Sequence, residues 1–360
     1  MGSAVRGAGA RVGRAGHDGH LAARGVVPHL SLLSSLRPGS ALRATIDGTP
    51  AAGWEDRRVT QHSPAGTGTP ALTDADLTPL PDVRLVVTDM DGTLLDSAKN
   101  VPAGFWPLLD LMRERGIVLV PASGRQYATL AREFSGALEG MPIIAENGSY
   151  VARDGVELSS VTIPGGVRRG SVAYDVVQAV RQVAAGGRDV GTVVCGKRSA
   201  YVERTDAPFR EQASMYYAAL EEVEDLTAVE DEILKVAVFD FEDVEVAVAP
   251  ALQPFGRDSA ERPAQQVVIS GRHWVDVMSA GVTKGDAVQR LQEELGVTRE
   301  QTVAFGDYLN DVEMLDAAGW SFAVEGAHPQ VLERARFRAP SNDDHGVVRV
   351  LERLLGVGHD

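Results

Sequence analysis

The chain has 360 residues and 44% hydrophobic content, enough for two compact domains and a tail. Its formal net charge of -15 excludes a polyanion such as nucleic acid as the first-choice partner. No run approaches the ~18–20 consecutive apolar residues of a membrane helix, so no membrane partner is expected. Cys195 is the only cysteine, which rules out an internal disulfide and a cysteine metal site and fits a cytoplasmic location.

Residues 1–80 are rich in Gly, Ala, Arg, Pro, Ser and Thr and show no sustained apolar period. They read as a disordered N-terminal extension, with a targeting segment or an upstream start as the alternatives this composition leaves open. The texture changes at Val83. Arg84–Thr88 is a short apolar run with the character of a buried parallel strand. A helix is expected over Gly104–Arg115, a strand over Ile117–Pro121, a helix over Tyr127–Leu138 and a strand over Pro142–Ala145. Alternation of this kind predicts an α/β fold built on a doubly wound, Rossmann-like parallel sheet.

Between about 151 and 276 the pattern differs. Helices are expected over Val167–Ala184, Ala207–Leu220 and Val244–Leu252, a strand over Ile233–Phe241, and hairpins around Gly196-Lys197 and Gly271-Arg272. This predicts an inserted α/β domain, an open-faced sheet with helices on one side. The first texture then returns over 277–360, with a helix at Asp286–Leu295, a strand at Thr302–Phe305, a helix at Asp311–Ala318, a strand at Trp320–Val324 and a final helix at Val347–Leu355. The core is thus expected to comprise 81–150 and 277–360.

Four strings stand at expected strand ends or helix starts, where open α/β sheets bind ligands. Asp89-Met90-Asp91-Gly92-Thr93-Leu94-Leu95 sets two carboxylates one residue apart, which repel unless a cation bridges them. Ser123-Gly124-Arg125 offers a hydroxyl and backbone N–H groups at a strand-to-helix junction, as an anion cradle would. Lys284 opens a helix, where its charge opposes the dipole and is better suited to binding an anion. Gly306-Asp307-Tyr308-Leu309-Asn310-Asp311 adds hard oxygen ligands of the type Mg²⁺ prefers. Each string taken alone also has a plain reading: an Asp-Gly turn, a serine cap, a solvated lysine, an acidic helix start.

Together and in this order, the four strings resemble the haloacid dehalogenase superfamily of aspartyl-phosphate hydrolases. The large α/β insert between Ser123 and Lys284 is similar to the cap of the Cof-like sugar-phosphatase branch. The resemblance implies a Mg²⁺-dependent phosphatase acting on a small phosphorylated metabolite, a sugar phosphate or similar. Asp89 would be the nucleophile and Asp91 the acid/base. Met90 (through its N–H), Ser123, Gly124, Lys284 and Asn310 would hold phosphate. Asp89, the backbone carbonyl of Asp91, and Asp307 would hold the metal, with Asp311 nearby. A phosphomutase of the same superfamily and a non-catalytic binding protein on the same fold are the alternatives. Glu146-Asn147-Gly148 reads equally as a segment at the site rim and as a type I′ hairpin turn. His328 is expected in a surface loop, and Asn342–Val347 resembles the family's closing segment.

Overall fold

The computed structural model describes residues 69–257 and 265–357. Most of the expected extension, residues 1–68, lies outside the described residues. Residues 69–80, which the sequence assigned to that extension, instead pack on the core. Leu72 is buried, its carbonyl accepts from Arg353 at 2.7 Å, and Ala71 bridges Arg338. The physical reason is the open edge of the core sheet, whose unpaired backbone groups take up the incoming chain.

The core follows from short, wholly apolar strands that need cover on both faces. In chain order it begins with β1 (Leu85–Thr88), α1 (Phe105–Glu114), β2 (Val118–Pro121), α2 (Tyr127–Glu133) and β3 (Pro142–Ala145). Here β3 makes a parallel bridge to the chain after β2 through Ala122 and Ile144, then leaves the main sheet. It forms an antiparallel ribbon with β4 (Tyr150–Arg153) and β5 (Val156–Ser160), two strands not foreseen from the sequence.

The insert comprises α3 (Val172–Ala185), β6 (Val190–Gly196), β7 (Ala200–Val202), α4 (Ala207–Tyr216), β8 (Leu220–Glu222), β9 (Ile233–Asp240), α5 (Val248–Leu252), β10 (Gln265–Gly271) and β11 (Trp274–Ser279). The core resumes with α6 (Lys284–Leu295), β12 (Thr302–Gly306), α7 (Val312–Asp316), β13 (Trp320–Val324), α8 (Pro329–Arg334), β14 (Phe337–Ala339) and α9 (Gly346–Leu354).

The core sheet has the order β14-β13-β12-β1-β2, all parallel. Apolar faces of α1, α2, α6, α7 and α9 share one core with it. The chain runs from β1 to β2 in one direction and later from β12 to β14 in the other. The order therefore reverses between β1 and β12, and the crevice at their carboxyl ends is the switch point where ligands bind in such sheets.

The insert's sheet has the order β10-β11-β9-β6-β7-β8. Its helices are not all on one side, contrary to the sequence expectation. Helices α3 and α5 pack against Val190, Val194, Val236 and Val238, whereas Phe209 and Ala213 of α4 pack against the alternate residues Val193, Cys195, Ala237 and Phe239. Strand alternation sends successive side chains to opposite faces, and these strands are apolar on both. Helix α4 also ends at Tyr216, short of the expected Leu220. The Tyr216 carbonyl accepts from the Gln126 N–H and the Thr129 hydroxyl, while Ala218 and Ala219 donate to Thr129 and Gln126. These contacts to the start of α2 outcompete further helical turns.

Candidate active site

The crevice is built from the ends of β1 and β12. Asp89 directly follows β1, and its N–H donates to the carbonyl of Phe305 on β12 at 3.0 Å. The chain then turns through Gly92, at φ +83°, where a Cβ would stand 2.5 Å from an Asp307 carboxylate oxygen. Only glycine lets this loop lie against the Asp307 carboxylate. Thr93, inside the first string but given no role by sequence, donates its hydroxyl to Asp307 Oδ1 at 2.8 Å.

The start of α6, fixed by a Thr283–Asp286 capping box, delivers Lys284. Its side chain is fully buried, with Nζ 2.5 Å from Asp89 Oδ1 and 2.7 Å from Asp311 Oδ1. The other Asp311 oxygen accepts from the N–H groups of Asp307 at 3.0 Å and Tyr308 at 3.2 Å. Carboxylate oxygens of Asp89, Asp307 and Asp311 all lie within 4.8 Å of one another.

Three carboxylates thus cluster beside one ammonium, which pairs with two of them. Burial, reinforced by Asp311, pushes the Asp307 carboxyl up to about 7. Burial also drives Asp89 well above the carboxylate range; Lys284 opposes this and Asp311 and Asp307 add to it. Burial disfavours the Lys284 ammonium, yet Asp311 and Asp89 outweigh it and hold the proton on. The surplus of hard, anionic oxygen is the donor set a divalent cation such as Mg²⁺ takes. The side chain of Asp311 belongs to this cluster, and that of Asp91 is not part of it.

The phosphate-loop candidates lie beside it. Ser123 donates its N–H to Ile144 at 2.9 Å, and its hydroxyl accepts from the Arg125 N–H at 3.2 Å. A Cβ on Gly124 would come within 3.2 Å of the Asn147 amide, a tight contact with that side chain. Asn310 donates to Asn147 Oδ1 at 3.0 Å. Met90 is buried, its side chain anchoring the loop in the core. Asp89, Ser123, Gly124, Asp307 and Asn310 line one cleft of about 530 Å³.

A family model described as haloacid dehalogenase-like hydrolase matches residues 86–351. The chain belongs to that family. It is a phosphatase of the Cof-like branch, with an α/β core and an added sheet as cap. It is 32% identical over 275 residues to the Escherichia coli protein YbjI, named a 5-amino-6-(5-phospho-D-ribitylamino)uracil phosphatase, covering 76% of this chain and 96% of that one. It is 23% identical over 304 residues to Bacillus subtilis YwtE, of the same name, covering 76% and 98%. A Streptococcus mutans protein of solved structure matches with a TM-score of 0.66 at 25% identity, covering 76% of this chain and 99% of that one.

In this phosphatase Asp91 is tied down. Arg125 grips its carboxylate with two bonds, Nε–Oδ2 at 2.6 Å and Nη2–Oδ1 at 2.7 Å, and Lys99 adds a third at 2.7 Å. Burial pushes the Asp91 carboxyl up, but Arg125 and Lys99 outweigh it and hold it below the ordinary range. Arg125 also pairs with Glu133 and lies 5.4 Å from the ring of Tyr216, which the cap contributes. Arg125 stood inside a quoted string without a role; Lys99 gave no sequence signal.

The cap supplies the cleft's other wall with Tyr216, Tyr217 and Trp274, whose rings meet edge to face at 5.3 and 6.1 Å. Asp276 of β11 and Lys235 of β9 also line it, and neither was singled out by sequence. The Glu146-Asn147-Gly148 segment joins the antiparallel pair β3–β4 by a turn with positive φ at Asn147 and Gly148, closed by the Ser149 N–H donating to the Glu146 carbonyl at 3.1 Å, and Asn147 accepts from Asn310, which lines the cleft. His328 caps α8 through its ring, and Asn342 donates to the Leu95 carbonyl at 2.8 Å, closing the first string from behind. Among the described residues no helix is long and apolar enough to cross a membrane.

Proposed function

We propose that this phosphatase hydrolyses the phosphomonoester of a small metabolite through an aspartyl-phosphate on Asp89. The observation that carries the reading is the convergence of the Asp89, Asp307 and Asp311 carboxylates at the sheet's switch point, with Lys284 paired to Asp89 and Asp311. Asp89 and Asp307, with the backbone carbonyl of Asp91, are the residues that would hold Mg²⁺. When bound, the ion supplies positive charge against the phosphoryl oxygens, which otherwise repel a carboxylate nucleophile. Lys284 would add its positive charge to the same end. Ser123, the N–H groups of Met90 and Gly124, and Asn310 hold the remaining phosphate oxygens.

In the first step an Asp89 oxygen bonds to phosphorus, the bond to the leaving oxygen breaks, and Asp91 gives that oxygen a proton. In the second, water attacks phosphorus, Asp91 takes its proton, the bond between the Asp89 oxygen and phosphorus breaks, the Asp89 carboxylate is regenerated and inorganic phosphate leaves. The grip of Arg125 and Lys99 keeps Asp91 ionised, the form the second step requires. For the first step that grip has to loosen.

The leaving group faces the aromatic wall of Tyr216, Tyr217 and Trp274. A flat ring joined to a hydroxylated chain suits such a wall, which favours 5-amino-6-(5-phospho-D-ribitylamino)uracil, the compound named for the relatives above, as substrate. The single, buried Cys195 supports a reducing, cytoplasmic setting. The test is phosphate release from that compound and from a panel of sugar phosphates with Mg²⁺, with EDTA, and with Asp89→Asn. Release that needs Mg²⁺ and Asp89 is expected. Turnover by Asp89→Asn at the wild-type rate would sink the mechanism, and isomerised sugar phosphate without free phosphate would make the protein a mutase.

A further inference from the structure

Lys235 projects from the middle of the cap sheet and is only 2% exposed. Its ammonium donates to the Gly124 carbonyl at 2.7 Å and to Asp276 at 3.2 Å and forms an ion pair with Glu146 at 3.0 Å. Gly124 and Glu146 belong to the core, Asp276 to the neighbouring cap strand. Asp276 Oδ2 also accepts from Asn147 Nδ2 at 2.7 Å. Asn147 in turn rests on Gly124 and accepts from Asn310 at 3.0 Å. Two cap residues therefore reach both arms of the phosphate cradle, one through the Gly124 peptide and one through the Asn147–Asn310 amide relay.

Adhesion alone does not call for this arrangement, because a well-packed apolar contact holds two lobes together without the desolvation of buried charge. What charge adds is direction. The Gly124 carbonyl and the Arg125 N–H lie in one planar, trans peptide and point in opposite senses. Fixing the carbonyl on Lys235 aims that N–H away from the cap strand, at the Ser123 hydroxyl.

We propose that Lys235 and Asp276 are positioning residues that complete the phosphate cradle when the cap is seated, by orienting the Gly124–Arg125 peptide, and through its N–H the Ser123 hydroxyl, and the Asn310 amide. The inference rests on the phosphate-binding roles proposed above for Ser123 and Asn310. It makes affinity for phosphate itself, with no leaving group present, depend on two side chains of the cap.

The test uses the full chain with Mg²⁺ and compares wild type, Lys235→Met and Asp276→Asn. The readouts are the inhibition constants of inorganic phosphate and orthovanadate, KM and kcat for p-nitrophenyl phosphate, and the melting temperature. Neither inhibitor carries a leaving group, so contacts of Asp276 to substrate do not enter. Both variants are expected to raise the inhibition constants and KM by about tenfold, within the usual range of coupling between sites, with a much smaller change in kcat. Unchanged inhibition constants in a folded variant, whatever its melting temperature, overturn the proposal. If Lys235→Met does not fold, Asp276→Asn, which keeps its volume and an acceptor for Asn147, decides alone. Wild type that neither hydrolyses the ester nor binds phosphate would refute the functional reading first, and the inference would fall with it.

Discussion

Two lysines lie buried in this phosphatase, each between two carboxylates. Lys284 joins Asp89 to Asp311 in the core, and Lys235 joins Glu146 to Asp276 at the seam between cap and core. What surrounds each pair separates them. Asp307 brings a third carboxylate to the first cluster, leaving two negative charges unmatched beside an open cleft. The second has one unmatched charge, and its remaining contacts are a backbone carbonyl and a side-chain amide. Surplus charge beside a cleft is a place for a divalent ion and a phosphoryl group. A buried, ion-paired ammonium on a carbonyl is a device for holding a peptide still. A buried ion pair by itself thus says little about function; the groups completing its surroundings decide it.

The strongest way to break the comparison is to remove each ammonium. Lys284→Met is expected to lower kcat/KM for p-nitrophenyl phosphate by about 10²–10³-fold, as for loss of a group facing developing charge. Lys235→Met should act mainly on KM. Equal kinetic effects of the two substitutions in steady-state assays would abolish the distinction. Next in size, Asp307→Asn should raise the Mg²⁺ concentration for half-maximal activity by about 10–100-fold, while Glu146→Gln, from the other cluster, should leave it unchanged. A Mg²⁺ titration of both variants measures this. Smaller still, Trp274→Ala should cut kcat/KM by about tenfold for a substrate with a heteroaromatic leaving group, the scale of one lost aromatic contact. For p-nitrophenyl phosphate the loss should be less.

The two clusters also differ in how far the sequence exposed them. Asp89, Asp91, Lys284 and Asp307 each sat at the edge of an apolar run or at a helix start, where a charge has no packing reason to be. Their places at strand ends and a helix start, taken together with the resemblance of the four strings to the family, singled them out. Lys235 and Asp276 lie inside apolar runs, ILKVAVFD and WVDVMS. There a charge reads as an interruption, and its partner, on a strand of the same sheet or in another lobe, is set by tertiary register. Arg125 was visible but mute, because its role comes from pairing with Asp91, 34 residues away. The helix limits failed for a similar reason. Nothing local marks Tyr216 as the end of α4; the stop is made by Gln126 and Thr129 of the core. The parallel sheet followed from alternation, but the turn of β3 out of it into its own ribbon did not, since Pro142–Ala145 is as apolar as a central strand.

The smallest effect gives the sharpest separation of the two clusters. With no divalent ion, Asp307 titrates near 7 in the folded protein, against about 4 for an unfolded chain. Between those values the folded state holds a proton the unfolded state has released, so stability falls as pH rises. The stabilisation is complete below about pH 4 and is lost as pH passes 7, at about 1.4 kcal/mol per proton per pH unit. For a domain of this size that is about 3 °C of melting temperature per unit. Asp89, also displaced upward by burial, adds the same sign. Glu146, raised by its own burial, adds it too, but no ion relieves it. Asp91, held low by Arg125 and Lys99, acts in the opposite sense and only as pH falls through the acidic range. Melting curves from pH 5 to 8 in EDTA should therefore slope downward, and saturating Mg²⁺ should remove the part due to Asp89 and Asp307 while leaving that of Glu146. The difference between the two curves belongs to the core cluster alone, and Asp307→Asn should shrink it. Parallel curves with and without Mg²⁺ would mean that these carboxylates do not share a cation.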